Sequence, residues 1–224
     1  MTTALVTGAN KGIGLEIVKR LLAEGMTVYL GARDPEKGEK AAADVGARFV
    51  ALDVTDAESV RRAAETIDRL DVLVNNAGIT GGRMNAPGEA DLGVIRDVFE
   101  TNVFGVITVT EAFLPLLRKS AHARIVNVSS MVGSLASMLA NDTPNSLAYV
   151  PSKTALNAVT LSYAKAEPDI RINAACPGYC ATDLNNHSGY RTAAQGANAA
   201  VTLATLDDGG PTGGFYDEDG PIAW

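Results

Sequence analysis

Two side chains that can move a proton stand four positions apart in the sequence, Tyr149 and Lys153. On a helix, residues at this spacing share one face, so the ammonium group would lie beside the phenol. A nearby cation lowers the pKa of a tyrosine from its usual value of about 10. A phenol with a lowered pKa is a usable general acid or base at neutral pH. The spacing alone is weak evidence, because a surface tyrosine and a solvated lysine give the same pattern.

The composition is typical of an ordinary folded protein and excludes several classes of partner. The chain has 224 residues, of which 46% are hydrophobic and 20% charged, enough for one domain over residues 1–224. A net charge of −7 without a basic block argues against nucleic acid and anionic membranes as partners. We find neither a membrane-spanning apolar run nor a signal peptide, so we expect a cytoplasmic protein. The spacing of Cys176 and Cys180 fits neither a disulfide framework nor a metal site, and no bound metal is expected.

Short β-branched runs alternate with stretches of helical period along the chain. The predicted strands are Ala4–Thr7, Thr27–Ala32, Arg48–Asp53, Val72–Asn75, Arg124–Ser129, Ile170–Cys176 and Gly213–Tyr216. The predicted helices cover Ile13–Glu24, 56–69, 91–118, Tyr149–Ala166 and Ala193–Leu206. This alternation calls for right-handed crossovers and a central parallel sheet, so we expect a single doubly wound α/β domain. The stretch Met131–Ala148 has no clear period and contains Asn-Asp-Thr-Pro-Asn, which predicts an exposed loop.

A glycine-rich turn lies between the first predicted strand and the first predicted helix. Glycines in such a turn bring the backbone close to a pyrophosphate, which the free N–H groups and positive dipole end of the helix stabilise. A glycine-rich turn alone is weak evidence, but its place directly between a strand and a helix favours a bound dinucleotide. The predicted contacts in this turn are Gly8, Asn10, Lys11, Gly12, Ile13 and Gly14.

The end of the second predicted strand bears on which dinucleotide is bound. An NAD site usually has an acidic residue at this tip to bind the ribose 2′-hydroxyl, but Ala32 stands there. Arg33 follows it and Lys11 lies in the glycine-rich turn, and two cations suit the 2′-phosphate of NADPH. Two alternatives stay open: both cations are ordinary surface residues, or Asp34 supplies the missing acid and NADH is used. The proline after Asp34 is more typical of a helix start.

The ends of the third and fourth predicted strands carry further candidate contacts. Asp53 has a carboxylate that can accept a hydrogen bond from an adenine amino group, while Asp56 is a candidate cap for the next helix. Polar amides in the Asn-Asn-Ala-Gly sequence at 75–78 can brace the sheet and line the crevice outside the carboxyl ends of the strands. The predicted contacts here are Asp53, Val54, Asn75, Ala77 and Gly78.

Six features, taken in this order, resemble the short-chain dehydrogenase/reductase family. They are TGxxxGIG at 7–14, NNAG at 75–78, Asn102, the Ser129-Ser130 pair, YxxxK at 149–153 and Pro177-Gly178. Each is modest by itself, but the ordered set is specific and covers essentially the whole chain. Four segments are closer still to the carbonyl reductase branch: 8–14, 32–34, 176–179 and the tail from 213 to 224. The resemblance implies a Rossmann-type fold.

The resemblance also implies a role for each matching catalytic residue. Ser130 would hydrogen-bond the carbonyl oxygen of the substrate, and Tyr149 would donate the proton. Lys153 would lower the pKa of Tyr149 and bind the nicotinamide ribose, while Asn102 would hold a water that links Lys153 to solvent. Two alternatives stay open: Ser130 is an ordinary loop serine, and Asn102 is an amide that bends or caps a helix.

The same resemblance implies contacts with the nicotinamide end of the cofactor, where Thr182 would bind the carboxamide. The contacts implied there are Tyr149, Lys153, Pro177, Gly178 and Thr182.

The chain departs from the family pattern in two places. Ser130 and Tyr149 stand 19 residues apart, more than is common in the family. Only 183–192 separate Thr182 from the next predicted helix, so a lid over the substrate would be short.

Together these features predict NADPH-dependent reduction of an aldehyde or ketone to an alcohol, or the reverse oxidation, while use of NADH stays open. The alternatives are a reductase of activated C=C or imine bonds on the same scaffold and a nucleotide-sensing protein that does no chemistry. The substrate is expected to be a small carbonyl compound that contacts Met84–Asp91, Met131–Ala148 and Tyr179–His187. Copies of the chain could pair through the helices at 91–118 and 149–166, as many relatives do, and the oligomeric state stays open.

Overall fold

Seven strands form one parallel sheet in the computed structural model, which describes residues 2–82, 85–140 and 146–224. In chain order they are β1 (Thr3–Val6), β2 (Thr27–Ala32), β3 (Arg48–Ala51), β4 (Val72–Asn75), β5 (Arg124–Val128), β6 (Arg171–Ala175) and β7 (Phe215–Tyr216). Their order across the sheet is β3-β2-β1-β4-β5-β6-β7, and every neighbouring pair is parallel. All seven predicted strands are confirmed, with ends that differ by at most two residues.

The described helices connect these strands. They are α1 (Gly12–Ala23), α2 (Pro35–Val45), α3 (Ala57–Thr66), α4 (Leu92–Phe99), α5 (Gly105–Leu117), α6 (Leu135–Ala140), α7 (Tyr149–Ala166), α8 (Ala193–Gly196) and α9 (Asn198–Ala204). Asp34 accepts a hydrogen bond from the backbone of Lys37 (3.2 Å) and caps α2, so the interpretation as a helix start is confirmed. Asp56 caps α3 in the same way. None of the described helices is long and apolar enough to span a membrane.

Apolar side chains on opposite faces of the sheet form two cores. Neighbouring residues of a strand point to opposite faces, and Leu5 and Val6 of β1 accordingly enter different cores, each fully buried. Val6 shares one core with Ile17 of α1, and Leu5 shares the other with Phe113 of α5. Helices therefore cover both faces, and the doubly wound α/β fold is confirmed. The carboxyl ends of the strands meet at one edge, where the predicted site residues lie.

The predicted helix at 91–118 is interrupted in its middle. A π-helical turn at Glu100–Phe104 joins α4 to α5 and contains the buried Asn102. Such wider turns often mark functional sites in helices. This turn places the amide of Asn102 against the segment that follows β4, as described below.

The expectation of an exposed loop over Met131–Ala148 is wrong for its first part. A 3₁₀ turn at Met131–Gly133 leads into α6, and Ser134 accepts a hydrogen bond from the first turn of that helix (3.0 Å). No residue of α6 is buried, so the sequence shows no apolar period there. The predicted loop residues at 141–145, like Met84, lie outside the described residues.

The segment after β7 folds back along that strand. Ile222 donates a backbone hydrogen bond to Phe215 (2.7 Å), and the ring of Trp224 stacks on the ring of Phe215 with centroids 5.5 Å apart. The carbonyl oxygen of Trp224 accepts a hydrogen bond from the backbone of Ala136 in α6 (3.1 Å). The tail thus anchors α6, which has no buried side chain of its own to hold it.

Candidate active site

A cleft of about 540 Å³ opens at the carboxyl ends of the strands. It is lined by residues that directly follow β1, β2, β3 and β4 and by the segment after β6. Of the residues predicted to contact a cofactor, the lining includes Gly8, Asn10, Lys11, Gly12, Ile13, Gly14, Arg33, Asp53, Val54, Ala77, Gly78 and Thr182. The other five, Asn75, Tyr149, Lys153, Pro177 and Gly178, lie outside this lining.

The glycine-rich turn has a backbone that only glycine tolerates well. Gly8 and Gly12 have φ angles of +61° and +59°, in the left-handed region. A Cβ atom at Gly14 would come within 2.5 Å of Asn76 Nδ2 and 2.8 Å of the carbonyl oxygen of Gly8. A Cβ atom at Gly12 would instead enter the open cleft, with Thr182 Cγ2 as its nearest neighbour at 3.7 Å. The turn therefore presents bare backbone to the cleft at the start of α1, a cradle that fits a pyrophosphate.

The segment after β4 is fastened to β1 by two side chains. The hydroxyl of Thr7 accepts hydrogen bonds from the backbone N–H groups of Asn76 (3.0 Å) and Ala77 (3.1 Å). Asn76 Nδ2 donates to the carbonyl oxygens of Thr7 (2.9 Å) and Gly8 (3.1 Å). Neither residue was among the predicted contacts, although both belong to the quoted motifs. Together they hold the glycine-rich turn and the Asn-Asn-Ala-Gly turn in one rigid wall of the cleft.

The cationic residues and Asp34 are separated by the structure. Arg33 is exposed and lines the cleft, and no carboxylate among the described residues pairs with it. Asp34 binds Lys37 Nζ (2.6 Å), a hydrogen bond that lowers the pKa of its carboxyl group, and it lies outside the lining. Lys11 Nζ binds Asp183 Oδ2 (2.5 Å) across the mouth of the cleft. Two cations therefore face the cleft, while Asp34 serves α2.

Asp53 and Asp56 have different tasks. Asp53 lines the cleft, and its Oδ1 atom accepts hydrogen bonds from the backbone (3.0 Å) and hydroxyl (2.7 Å) of Thr55. Among the residues that the structure describes, no side-chain hydrogen bond occupies its second carboxylate oxygen. Asp56 points into its own helix as the cap of α3. Of these two carboxylates, Asp53 is the one that lines the cleft.

Ser130, Tyr149 and Lys153 meet beside the cleft. Ser130 lies at the start of the 3₁₀ turn that follows β5, and its hydroxyl lowers the pKa of the Tyr149 phenol. Lys153 is buried one turn further along α7, with Nζ 5.7 Å from the centre of the Tyr149 ring. Its ammonium donates to the carbonyl oxygen of Val128 (2.7 Å). A Cβ atom at Gly78, in the cleft lining, would lie 3.7 Å from Lys153 Nζ, so the lysine reaches the wall of the cleft.

The protonation of this pair differs from the sequence prediction. Desolvation raises the pKa of Tyr149 to about 12, whereas the hydrogen bond from Ser130 lowers it and the neighbouring Cys176 raises it. The predicted lowering of the Tyr149 pKa by Lys153 is therefore wrong, since desolvation dominates and the Lys153 ammonium is directed to Val128. Desolvation lowers the pKa of Lys153 to about 8. The tyrosine is thus a firmly protonated acid and the lysine a base that titrates near physiological pH.

Asn102 braces the segment after β4 rather than facing the cleft. Its Oδ1 atom accepts from the backbone of Ile79 (2.9 Å), and its Nδ2 atom donates to the carbonyl oxygen of Ile79 (2.9 Å) and to Ser152 Oγ (3.0 Å). Both N–H groups of the Asn102 amide are used. A water bound at this residue can therefore bond only to its carbonyl oxygens. The side-chain contacts therefore match the alternative of a structural amide in a bent helix.

The remaining predicted contacts also have structural partners. Asn75 is buried and donates through Nδ2 to Thr110 Oγ1 (3.2 Å) and Asn127 Oδ1 (2.9 Å), which braces the sheet. Gly178 has a φ of +74°, and a Cβ atom there would lie 2.6 Å from Cδ of Arg191. Neither residue reaches the cleft lining.

The segment after Thr182 is short, as predicted. It forms a 3₁₀ turn at Asp183–Asn185, followed by Asn186 and His187 with φ of +52° and +59°. The lining of the cleft includes five residues of this region, Ala181, Thr182, Asp183, Leu184 and His187. His187 Nε2 lies 2.9 Å from Asp183 Oδ1, so Asp183 faces both His187 and Lys11. Only the place of Asp183 directly after Thr182 hinted at this contact in the sequence.

These features belong together in one class of protein. Enzymes that bind a dinucleotide across the carboxyl ends of a parallel sheet use a glycine-rich first turn to hold its phosphates. They leave hydride transfer to the cofactor and position the substrate with a few polar side chains.

Comparisons with known proteins identify the family. The model of the short chain dehydrogenase family matches residues 2–192, and the chain belongs to this family. It is 34% identical to (−)-isopiperitenone reductase of Mentha piperita, over 98% of this chain and 97% of that protein. It also resembles the crystal structure of NADPH-bound carbonyl reductase from chicken fatty liver, with 30% identity, a TM-score of 0.89 and 100% and 99% of the two chains covered. Salutaridine reductase from Papaver somniferum superposes with a TM-score of 0.87 at 32% identity, over 96% of this chain and 99% of that one.

The predicted resemblance, including that to carbonyl reductases, is therefore confirmed. The chain is an NAD(P)-dependent oxidoreductase that acts on carbonyl or hydroxyl groups.

Proposed function

We propose that this single-domain enzyme uses NADPH to reduce a ketone or aldehyde of a small molecule to an alcohol, with Tyr149 as the proton donor. The observation that carries the proposal is the meeting of three side chains: the Ser130 hydroxyl lowers the pKa of the Tyr149 phenol, and Lys153 Nζ lies 5.7 Å from the centre of the Tyr149 ring. Lys153 lies beside this pair and reaches the wall of a cleft that fits a dinucleotide. The NADPH-bound carbonyl reductase among the similar structures agrees with this reaction.

We infer a task in cofactor binding for several residues of the cleft. The bare backbone from Gly8 to Gly14 and the N-terminus of α1 would hold the pyrophosphate. Asp53 would accept a hydrogen bond from the adenine amino group, and Thr182 would hold the carboxamide. When bound, the cofactor supplies the hydride.

Two cations at the adenosine end support a preference for NADPH. Arg33 faces the cleft without a carboxylate partner among the described residues, and the guanidinium is a strong donor to phosphate. Lys11 is paired with Asp183, but both side chains are more than half exposed. Exposed ion pairs are weakly held, so a 2′-phosphate can draw Lys11 away from Asp183.

Ser130 and Tyr149 are suited to the carbonyl oxygen of a substrate. Negative charge develops on that oxygen during reduction, and two preorganised hydroxyl donors stabilise it where it forms. The raised pKa keeps the proton on the Tyr149 phenol until the oxygen becomes basic enough to take it. Lys153, with a pKa of about 8, can then return a proton to the tyrosine and exchange with solvent.

The same residues bear on the two alternative functions, a nucleotide-sensing protein and a reductase of C=C or imine bonds. A nucleotide-sensing protein has no need of a hydrogen-bonded serine and tyrosine beside a buried lysine, and here all three are assembled. Reduction of an imine develops no anionic oxygen for Ser130 and Tyr149 to stabilise. Reduction of the C=C bond of an enone does develop negative charge on its carbonyl oxygen, so analysis of the products separates that reaction from carbonyl reduction.

A substrate panel tests the proposal. The purified protein is given ketones, aldehydes, enones and imines, each with NADPH and with NADH, and consumption is followed by cofactor absorbance with product analysis. Alcohol products with a preference for NADPH are expected. Reduction of C=C or C=N bonds alone would contradict the proposal, as would tight NADPH binding without turnover of any compound.

A further inference from the structure

The turn that carries Ser130 is fastened to α7 by one buried amide. Ser129 Oγ donates to Asn157 Oδ1 (2.6 Å), and Asn157 Nδ2 donates to the carbonyl oxygen of Gly133 (3.1 Å). Asn157 and Ser129 are 4% and 1% exposed. The side chain of Asn157 therefore holds the chain on both sides of Ser130, through the hydroxyl of Ser129 and the backbone of Gly133.

The spacing along α7 links this amide to the reacting pair. Tyr149, Lys153 and Asn157 follow at intervals of four residues, which places them on one face of the helix. The turn rests directly on that face, since a Cβ atom at Gly133 would lie 2.8 Å from the carbonyl carbon of Lys153. The position of Ser130 relative to Tyr149 is therefore set by contacts along one side of α7.

A purely structural role for Asn157 is the competing explanation. A buried amide can satisfy the polar atoms of a turn and stabilise the fold without affecting chemistry. The chain contains a matched example on the same helix: Asn127 Nδ2 donates to Thr160 Oγ1 (2.9 Å) and joins β5 to α7 away from the Ser130 turn. Comparing variants of the Asn157 link and of the Asn127–Thr160 link separates an effect on the stability of the fold from an effect on the position of Ser130.

We propose that Asn157 is a positioning residue that holds Ser130 at hydrogen-bonding distance from Tyr149 in the reactive arrangement. Asn157 touches neither substrate nor cofactor in this role and acts through Ser129 and Gly133. The inference rests on the proposed function, because it assigns a task within the same reaction.

The ionisation of Tyr149 provides a readout that stability alone does not move. The hydrogen bond from Ser130 lowers the pKa of Tyr149, so a loosened turn lets that pKa rise. The other groups that face the phenol are Lys153 from its own helix and Cys176, which follows β6, whereas the side chain of Asn157 bonds to Ser129 and Gly133. The ionisation of Tyr149 in the pH profile, which lies above that of Lys153, should therefore move upward, in the same direction as in Ser130→Ala.

The test compares Asn157→Ala with Ser130→Ala, Tyr149→Phe and the control Thr160→Val. For each variant, kcat, KM, the Kd for NADPH, the pH profile of kcat and the Tm are measured. Misplacement by about 1 Å costs up to roughly 100-fold in rate, so kcat of Asn157→Ala should fall by about tenfold to 100-fold with the Kd for NADPH unchanged. Thr160→Val should lower the Tm but keep the kcat and pH profile of the wild type.

A second variant keeps the test decisive if Asn157→Ala does not fold. Asn157→Ser keeps a small polar side chain without an ionisable group and reaches at most one of the two partners, so an intermediate loss of kcat is expected. Full kcat and an unmoved pH profile in a folded Asn157 variant, while Ser130→Ala and Tyr149→Phe are impaired, would overturn the positioning role alone. Full activity in Ser130→Ala and Tyr149→Phe as well would instead overturn the proposed function.

Discussion

Replacing Thr7 by valine should remove two hydrogen bonds from the wall of the cleft while keeping the shape of the side chain. The Thr7 hydroxyl accepts from the backbone N–H groups of Asn76 (3.0 Å) and Ala77 (3.1 Å), and Thr7 itself is 1% exposed. Valine fills the same space but offers no acceptor. Both N–H groups then face a methyl group, and the contact between β1 and the segment after β4 loses its polar part.

The expected loss of stability follows from those two donors. Leaving a buried donor without a partner costs about 1–3 kcal/mol. Asn76 and Ala77 are only partly buried, so some water can reach them, and we expect about 2–4 kcal/mol in total. In a protein of this size, 1 kcal/mol shifts the Tm by about 2–4 °C, which gives a drop of roughly 4–16 °C. Affinity for NADPH should fall as well, because Asn76 and Ala77 line the cleft.

Chemical denaturation, thermal melting and NADPH titration of the same preparations measure both effects. Thr7→Ser is the matched control, since it keeps the hydroxyl and loses only a methyl group. It should retain the NADPH affinity of the wild type and most of the stability. Equal stability of Thr7→Val and Thr7→Ser would refute the reasoning, because the hydroxyl would then contribute nothing to the wall of the cleft.

Three further predictions concern the site. Ser130→Ala should lower kcat by about 10²–10³, the usual effect of removing one donor to a developing oxyanion, with the Kd for NADPH unchanged. A larger loss of kcat in Ser129→Ala would show that Ser129, not Ser130, is the catalytic serine. Arg33→Ala should weaken NADPH binding about tenfold and leave NADH binding unchanged; equal affinities of the wild type for both cofactors would contradict this. Lys153 has a pKa lowered from 10.5 to about 8 without cofactor, so the unfolded state binds more protons between these values. Wild-type stability relative to Lys153→Met should therefore rise by roughly 1–3 kcal/mol from pH 8 to 10, and a flat difference in urea titrations would show that the lysine is not desolvated.

Much of the fold could be predicted because its strands are short runs of β-branched residues buried on both sides. Val72–Asn75 and Thr27–Ala32 have identical bounds in prediction and structure. The glycine-rich turn could be predicted for a similar reason, since left-handed φ angles at Gly8 and Gly12 restrict the residue type itself.

Elements without a burial pattern could not be predicted. The helix α6 buries no side chain and is held by hydrogen bonds from its backbone to Ser134 and to the tail at Trp224, which lies far away in the sequence. The π-helical turn at Glu100–Phe104 continues the period of its neighbours, so only contacts in three dimensions reveal it.

The chemistry of the site depends on burial, which the sequence did not reveal. The spacing of Tyr149 and Lys153 predicts their proximity correctly, but not that desolvation outweighs their mutual attraction. The ammonium of Lys153 finds a closer partner in the carbonyl oxygen of Val128. In the same way, the pairing of Lys11 with Asp183 and of Ser129 with Asn157 joins segments that no short motif connects.

The turnover of Tyr149→Phe tests the central claim most directly, since this change removes only the phenolic oxygen. The variant should fold, melt and bind NADPH as the wild type does. Its kcat for a ketone or aldehyde should fall by about 10²–10⁴ or more, the contribution typical of general acid catalysis. A kcat near that of the wild type in a folded Tyr149→Phe protein would contradict the account, because the proton would then come from another group.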